Sequence, residues 1–504
     1  MVDSATRRAW AEHLGVDTGS IDPDALRREL ASGTIPGALA EAAAHSDGTI
    51  AVGSERLTYV QLHERVTRTA SSLASHGIGS GDRVVISAPT SMPFIVAYLA
   101  VLHLGATVVL ANPTYTQSEL DGLIERSSAR LLVTDAPPST PTAVAALADL
   151  QTFTQPPHPG ADIASDDLAL LAYTSGTTGT PKGVPLTHGA VLASIRGAML
   201  AWRWSADDVL VHALPMFHQH GLSALHASLA AGSSLSVLTS FDPHELLATI
   251  EHERASVMFA VPSIHQRLAD LDSPELRALR RLRLITSGSS PLSPELAERL
   301  HTRAGIRPLE RYGLTESGLD VSNMYGDPVT GSVGRPLPGV EVALCSPLGE
   351  FVGEGEIVLR GPQVFRGYLD DEGATSAAFW PGGWFRTGDL GRWDDDGRLT
   401  ITGRLKELII TGGMNVAPRE VEIVVEAHPG VEEAAVAGVP SDRWGEEVTA
   451  WVVAKPGLDL DPASLVEHCR TRLAAYKCPK RVIVVDALPR NSMGKLVRAE
   501  LVTS

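Results

Sequence analysis

Apolar residues recur along this chain in two alternating rhythms. Gln61–His76 carries them at helical spacing, Arg83-Val-Val-Ile-Ser87 is a short apolar strand, Pro93–Leu104 is helical again, and Ala106–Leu110 forms a second strand closed by Asn112-Pro113. Strand, helix and strand with short connections predict parallel βαβ units. The same alternation returns at Ala255–Ala260 and Leu282–Thr286. Residues 5–33 read instead as short charged helical pieces such as Asp24–Leu30, and Pro137–Pro141 and Gln155–Gly160 as surface loops. Near residue 335 the pattern changes to short strands at Glu341–Leu344, Gly355–Leu359 and Arg398–Thr402. Beyond Gly403-Arg404 the chain resumes as a compact α+β unit of about 100 residues. Its helix opens at Pro418–Glu426 with acidic residues in the first turn. The expected organisation is an α/β protein: an accessory segment over 1–35, a large domain of parallel βαβ sheets with a β-rich subdomain over 36–404, and a small α+β domain over 405–504.

Composition narrows the picture. The 504 residues include 42 Lys+Arg against 59 Asp+Glu, a formal charge of −17, with 44 % hydrophobic and 20 % charged residues. Such a chain folds, and its acidity argues against coating DNA or RNA. No window reaches the ~18 consecutive apolar residues of a membrane span, and the N-terminus lacks the apolar stretch of a signal peptide. The expectation is a cytoplasmic protein, monomer or homodimer, with no nucleic-acid or membrane partner. Cys345, Cys469 and Cys478 are too few and too irregularly spaced for a disulfide framework or zinc site, and are expected to be reduced packing residues.

The strongest chemical signal runs from Leu170 to Gly183. A buried strand, Leu168–Tyr173, enters a loop of glycines and small hydroxyl residues: Ser175, Gly176, Thr177, Thr178, Gly179. Glycine lets backbone N–H groups close on a polyanion, the hydroxyls add donors, and Lys182 adds a mobile positive charge. The loop suits a triphosphate. It is not a Walker loop, because Pro181 precedes Lys182 and Gly183 follows it, where that motif needs Gly-Lys-Ser/Thr. Elsewhere, Asp389 ends a Thr-Gly-Asp turn, Tyr312 offers an aromatic face, and Lys495 lies close to the C-terminus.

The loop resembles the phosphate-binding signature of the adenylate-forming superfamily of acyl-CoA synthetases, peptide-synthetase adenylation domains and firefly-type luciferases. The other signatures follow in the family's order: Arg311-Tyr-Gly-Leu-Thr-Glu316, Trp384-Phe-Arg-Thr-Gly-Asp389, Gly403-Arg-Leu-Lys-Glu407 and Pro489-Arg-Asn-Ser-Met-Gly-Lys495. The match covers about residues 36 to 498. The resemblance implies an ATP-dependent carboxylic acid–CoA ligase that forms an acyl-adenylate and then a thioester, using ATP, Mg²⁺ and CoA. Nucleotide binding falls by resemblance to Thr174–Gly179, Lys182, Gly288, Ser289, Tyr312, Gly313, Thr315 and Glu316. Asp389 and Arg404 hold the ribose, and Thr177 and Glu316 meet the metal. Lys495 is implied to bridge the attacking carboxylate and the α-phosphate. Lys406 falls where the family has a hinge to a mobile C-terminal domain. Gly412 and Gly413 either line a passage for the pantetheine arm of CoA or form a β-turn pair. An amine or carrier-protein acceptor is the alternative to CoA.

For the acid, His218 is implied to lie beside the carboxylate, with Ser287 and Arg311 also in the acid site. A positive charge immediately before Tyr312 suits a second carboxylate on the substrate. The surrounding sequence is similar to malonyl- and methylmalonyl-CoA synthetases, so the expected substrate is a small dicarboxylic acid, with an aryl, fatty or specialised-metabolite acid as the alternative. Arg311 could instead pair with a protein carboxylate, Glu310 or Asp320. Ser317-Gly-Leu-Asp-Val-Ser322 departs from the Thr-x-Met-Asn-Thr-Ser usual in that subfamily. His218 and His220, two apart, lack a third ligand at matching spacing for a metal.

Overall fold

The computed structural model describes residues 2–135, 142–151, 156–174, 181–411, 414–441, 444–458, 460–491 and 496–503. Two compact units divide the chain: residues 1–342 with 359–385, and residues 343–358 with 386–504.

The first unit holds two sheets. One has six strands in the order 143–145, 131–133, 83–86, 107–110, 168–174, 182–187. Its pairs are parallel except the last, in which Leu168–Thr174 and Lys182–Thr187 run antiparallel. The predicted phosphate loop therefore joins two strands, Thr174 opposite Lys182, and is not followed by a helix.

The other sheet has nine strands. Its centre is a parallel run ordered 309–312, 284–287, 257–260, 209–212, 234–237, 49–52, and its outer pairs are antiparallel. Strand Val257–Ala260 is apolar throughout, as both-sided burial requires, whereas other strands of the run carry His212, Ser287, Glu310 and Arg311 towards their carboxyl ends. Helices Pro243–His252, Pro262–Asp270 and Pro294–Ala304 pack on it through Leu246, Ile250, Ile264, Leu268, Leu296 and Leu300 against Val211, Met258 and Ile285. Parallel strands end together. Register sets His212 beside Phe259, Ala260 beside Ser287, and Ser287 beside Glu310. That shared carboxyl edge is where open α/β sheets bind ligands.

The N-terminal pieces are helices Ser4–Leu14 and Pro23–Leu30 with a short turn between them. Each is capped by an aspartate side chain, Asp3 and Asp22. They dock firmly on the first unit. Trp10 is fully buried and its Nε1 donates to the Val340 carbonyl at 2.9 Å. Glu341 is gripped by both Arg27 and Arg360, at 2.5 and 2.8 Å.

In the second unit, Trp393 back to Asp389 pairs antiparallel with Leu399–Arg404, setting Asp389 opposite Arg404. A sheet of Met414–Val416, Ile409–Thr411, Gly445–Ala454 and Val431–Ser441, with Arg481–Val484 added in parallel, carries helices Pro418–Glu426 and Pro462–Arg470. Cys469 and Cys478 sit in its core beside Val436, Val448 and Leu465, and all three cysteines are free and buried. Among the described residues, no helix is long and apolar enough to cross a membrane.

Candidate active site

Strand Leu309–Tyr312 delivers Arg311 and Tyr312 to the carboxyl edge of the nine-stranded sheet, and the chain then turns tightly through Gly313–Gly318. Only glycine fits at 313, because a Cβ there would lie 1.7 Å from the Gly318 carbonyl oxygen. The turn carries Thr315, half-buried, and Glu316, 8 % exposed.

Glu316 Oε1 accepts from the Tyr368 hydroxyl at 3.1 Å, and its backbone carbonyl accepts from Phe365 N–H at 2.8 Å. Lys182 Nζ lies 4.8 Å from the centre of the same Tyr368 ring. The Gly183 carbonyl accepts from Leu369 N–H at 2.9 Å, which fixes the strand bearing Lys182 against this segment. The predicted cation and the predicted carboxylate, 134 residues apart by numbering (316 − 182), thus share one aromatic side chain. Tyr368 was not foreseen. It follows Gly367 in an irregular stretch, and its only sequence signal is an aromatic after a glycine, with no periodicity around it. Burial, then the Glu316 charge, pushes its hydroxyl pKa up.

Arg311 is 9 % exposed, and burial lowers it to about 10. The alternating pleat puts Glu310 and Arg311 on opposite faces, so adjacency does not pair them. Glu310 Oε1 accepts from Gly331 N–H at 2.8 Å. Asp320 accepts from Ser317 Oγ at 2.5 Å and from Gln363 Nε2 at 3.0 Å. The protein-carboxylate alternative for Arg311 is therefore not what the fold builds: among the described residues, no ion pair joins Arg311 to a carboxylate. Its Nη2 instead meets His220 Nε2, and its Nε has no hydrogen-bond partner among the described residues.

The guanidinium lies flat on Gly288, where a Cβ would stand 2.7 Å from its Cζ. Ser287, 2 % exposed, leaves its Oγ without a hydrogen-bond partner among the described residues. His212, fully buried at the end of its strand, is held neutral by burial, its pKa down at about 3. His218 is the half-buried N-cap residue of helix Gln219–Ala231. The structure thus gathers Ser287, Gly288, Arg311 and His220 at one edge.

In the second unit Asp389 is 4 % exposed, and its Oδ1 accepts from Arg404 Nε at 2.8 Å. The turn before it is built by Glu356, whose carboxylate takes the Arg386 guanidinium and the Gly388 N–H. Arg404 is mostly exposed, and Lys406 is exposed on the turn Leu405–Glu407. Ser175, Gly176, Thr177, Thr178, Gly179, Gly412, Gly413 and Lys495 lie outside the described residues.

Residues 39–369 match the sequence profile of the AMP-binding enzyme family, and residues 420–495 that of the AMP-binding enzyme C-terminal domain. An oxalate–CoA ligase of Arabidopsis thaliana is 35 % identical over 88 % of this chain and 93 % of its own length. A feruloyl-CoA synthase of Amycolatopsis sp is 36 % identical over 89 % of this chain and 94 % of its own. Among solved structures, ATP-bound MatB from Rhodopseudomonas palustris superposes with a TM-score of 0.88 at 36 % identity, covering 94 % of this chain and 99 % of that one.

Proposed function

Because this chain belongs to the AMP-binding enzyme family and is an AMP-forming acid–CoA ligase, we propose that its acid is a small dicarboxylate, malonate or methylmalonate, whose remote carboxylate binds Arg311. The reaction runs through an acyl-adenylate. The acid's carboxylate attacks the α-phosphorus of ATP and expels pyrophosphate, and the CoA thiol then displaces AMP.

One observation carries the substrate reading: a guanidinium that is 9 % exposed, meets an imidazole and no carboxylate among the described residues, and has an Nε with no hydrogen-bond partner among them. A buried cation without an anion costs several kcal/mol, and a substrate carboxylate would offset that cost through a bidentate pair. One named relative is in keeping with it, the oxalate–CoA ligase, whose acid is a small dicarboxylate. The feruloyl-CoA synthase shows that the same scaffold also serves a monocarboxylic acid.

In this reading Tyr312 stacks the adenine, Gly313 and Thr315 approach the α-phosphate, and Asp389 with Arg404 grips the ribose. The loop Thr174–Gly179 with Lys182, Gly288 and Ser289 receives the phosphates. Glu316 and Thr177 would hold Mg²⁺, which needs one or two carboxylates beside phosphate oxygens; the buried Glu316 carboxylate fits that requirement. Magnesium, when bound, offsets phosphate charge. Lys495 would bring acid and α-phosphate together, Lys406 would be the hinge, and Gly412-Gly413 would admit CoA.

The test is pyrophosphate release with malonate, methylmalonate, oxalate, propionate and ferulate, with CoA, in the wild type and Arg311→Met. Losing a buried bidentate pair worth ~3 kcal/mol should lower kcat/KM for malonate ~100-fold and change propionate use far less. Equal malonate turnover by both proteins would overturn the dicarboxylate reading.

A further inference from the structure

Two elements converge on His220, the second residue of helix Gln219–Ala231. From strand Leu309–Tyr312 comes the Arg311 guanidinium, against Nε2. From the loop after strand Leu284–Ser287 comes Ser289, whose Oγ is 2.9 Å from Nδ1. Arginine can only donate, so Nε2 must accept, the hydrogen must reside on Nδ1, and Nδ1–H must donate to Ser289. One guanidinium thereby sets the tautomer of the ring and the direction of the next hydrogen bond.

Ser289 is held in an unusual conformation. Its φ is +69°, in the left-handed region, which costs a residue with a side chain on the order of 1 kcal/mol. The preceding residue, Gly288, is the one on which the guanidinium rests. Arg311 therefore touches this loop twice, directly on the Gly288 backbone and through His220 on the Ser289 hydroxyl. In the reading above, Arg311 belongs to the acid and Gly288-Ser289 to the nucleotide.

We propose that His220 is a positioning residue that couples the two subsites: a carboxylate bound to Arg311 pins the guanidinium, which pins the imidazole, which holds the Ser287–Ser290 loop in its strained, nucleotide-receiving form. The carboxylate takes Nε–H and a terminal N–H, and because Nη2 carries two hydrogens one of them stays on His220. Acids with a second carboxylate would then tighten ATP binding, and simple monocarboxylic acids would not. The inference rests on the dicarboxylate reading and extends it from recognition to synergy, since ordering one site lowers the ordering cost of the other.

The experiment measures the affinity of the full-length protein for α,β-methylene-ATP, which cannot release pyrophosphate, without acid and with saturating malonate or propionate. Malonate affinity is measured alone in the wild type, Arg311→Met, His220→Gln and His220→Asn. Gln offers Arg311 an acceptor without reaching Ser289 as well, and Asn can serve Ser289 without Arg311. The expected result is nucleotide binding about fivefold or more tighter with malonate in the wild type, unchanged with propionate, and unchanged with malonate in both His220 variants although they still bind malonate. The same synergy in the variants, or none in the wild type while malonate binds through Arg311, would overturn the coupling and leave the substrate reading intact. Equal malonate affinity in wild type and Arg311→Met would overturn both.

Discussion

Replacing Asp320 by Asn tests whether the turn carrying Glu316 is braced by a proton-holding carboxyl. Asp320 has no exposed surface, and its oxygens accept from Ser317 and Gln363. Burial first, and the neighbouring Glu316 charge last, raise its pKa from an ordinary 3.8 to about 7. A carboxyl whose folded value lies above its unfolded value holds its proton more tightly in the native state. Its contribution to stability is full below about pH 4 and is lost as pH rises towards 7. At 1.36 kcal/mol per unit the whole loss is about 4 kcal/mol, of which about 3 kcal/mol falls between pH 5 and 8. Asn is accommodated if the Gln363 amide turns over, since Gln363 Oε1 is buried without a hydrogen-bond partner among the described residues and can accept from the new amide. Urea unfolding of both proteins at several pH values, followed by tryptophan fluorescence, isolates this group, because all other titrations cancel in the difference. Trp10 and Trp202, both fully buried in the first unit, report there. The variant should gain about 3 kcal/mol on the wild type from pH 5 to pH 8. A difference that stays flat across that range would refute the argument.

Tyr368→Phe keeps the ring beside Lys182 and removes only the hydroxyl that donates to Glu316. A hydrogen bond to a charged group is worth ~1.5–3 kcal/mol, so adenylation measured by pyrophosphate exchange should fall about 10-fold or more, with thioester formation from supplied acyl-adenylate much less affected. Trp10→Ala removes a fully buried indole and its bond to the Val340 carbonyl. It should cost ~3–5 kcal/mol of stability, seen as a lower midpoint in denaturant, and an unchanged midpoint would mean that the N-terminal helices do not brace the first unit.

Much of the fold was legible in the pattern of residues, because its signals are local. The rhythm at Gln61–His76, the apolar strand at Arg83–Ser87 and the proline-opened helix at Pro418–Glu426 all form nearly where expected, at Tyr59–Ser75, Arg83–Ile86 and Pro418–Glu426. Local capping and burial decide such elements within a few turns of chain. The motifs likewise named the chemistry, since glycines, hydroxyls and a lysine at set spacing suit a polyanion wherever they occur.

Partnership was not legible, because it depends on strand order. The spacing along Leu309–Tyr312 separates Glu310 from Arg311 but says nothing of what each side chain meets across the sheet. Arg311 meets His220, 91 residues away, because parallel strands bring the start of helix Gln219–Ala231 to the same edge. Tyr368 reaches both Lys182 and Glu316 only because Leu369 is tied to Gly183. Whether Asp320 neutralises Arg311 or retains a proton beside Gln363 is a matter of burial and neighbours summed in three dimensions. Residue type and spacing along the chain state which reaction is available; long-range packing, which no short stretch encodes, sets which charges meet there and so which acid the site can hold.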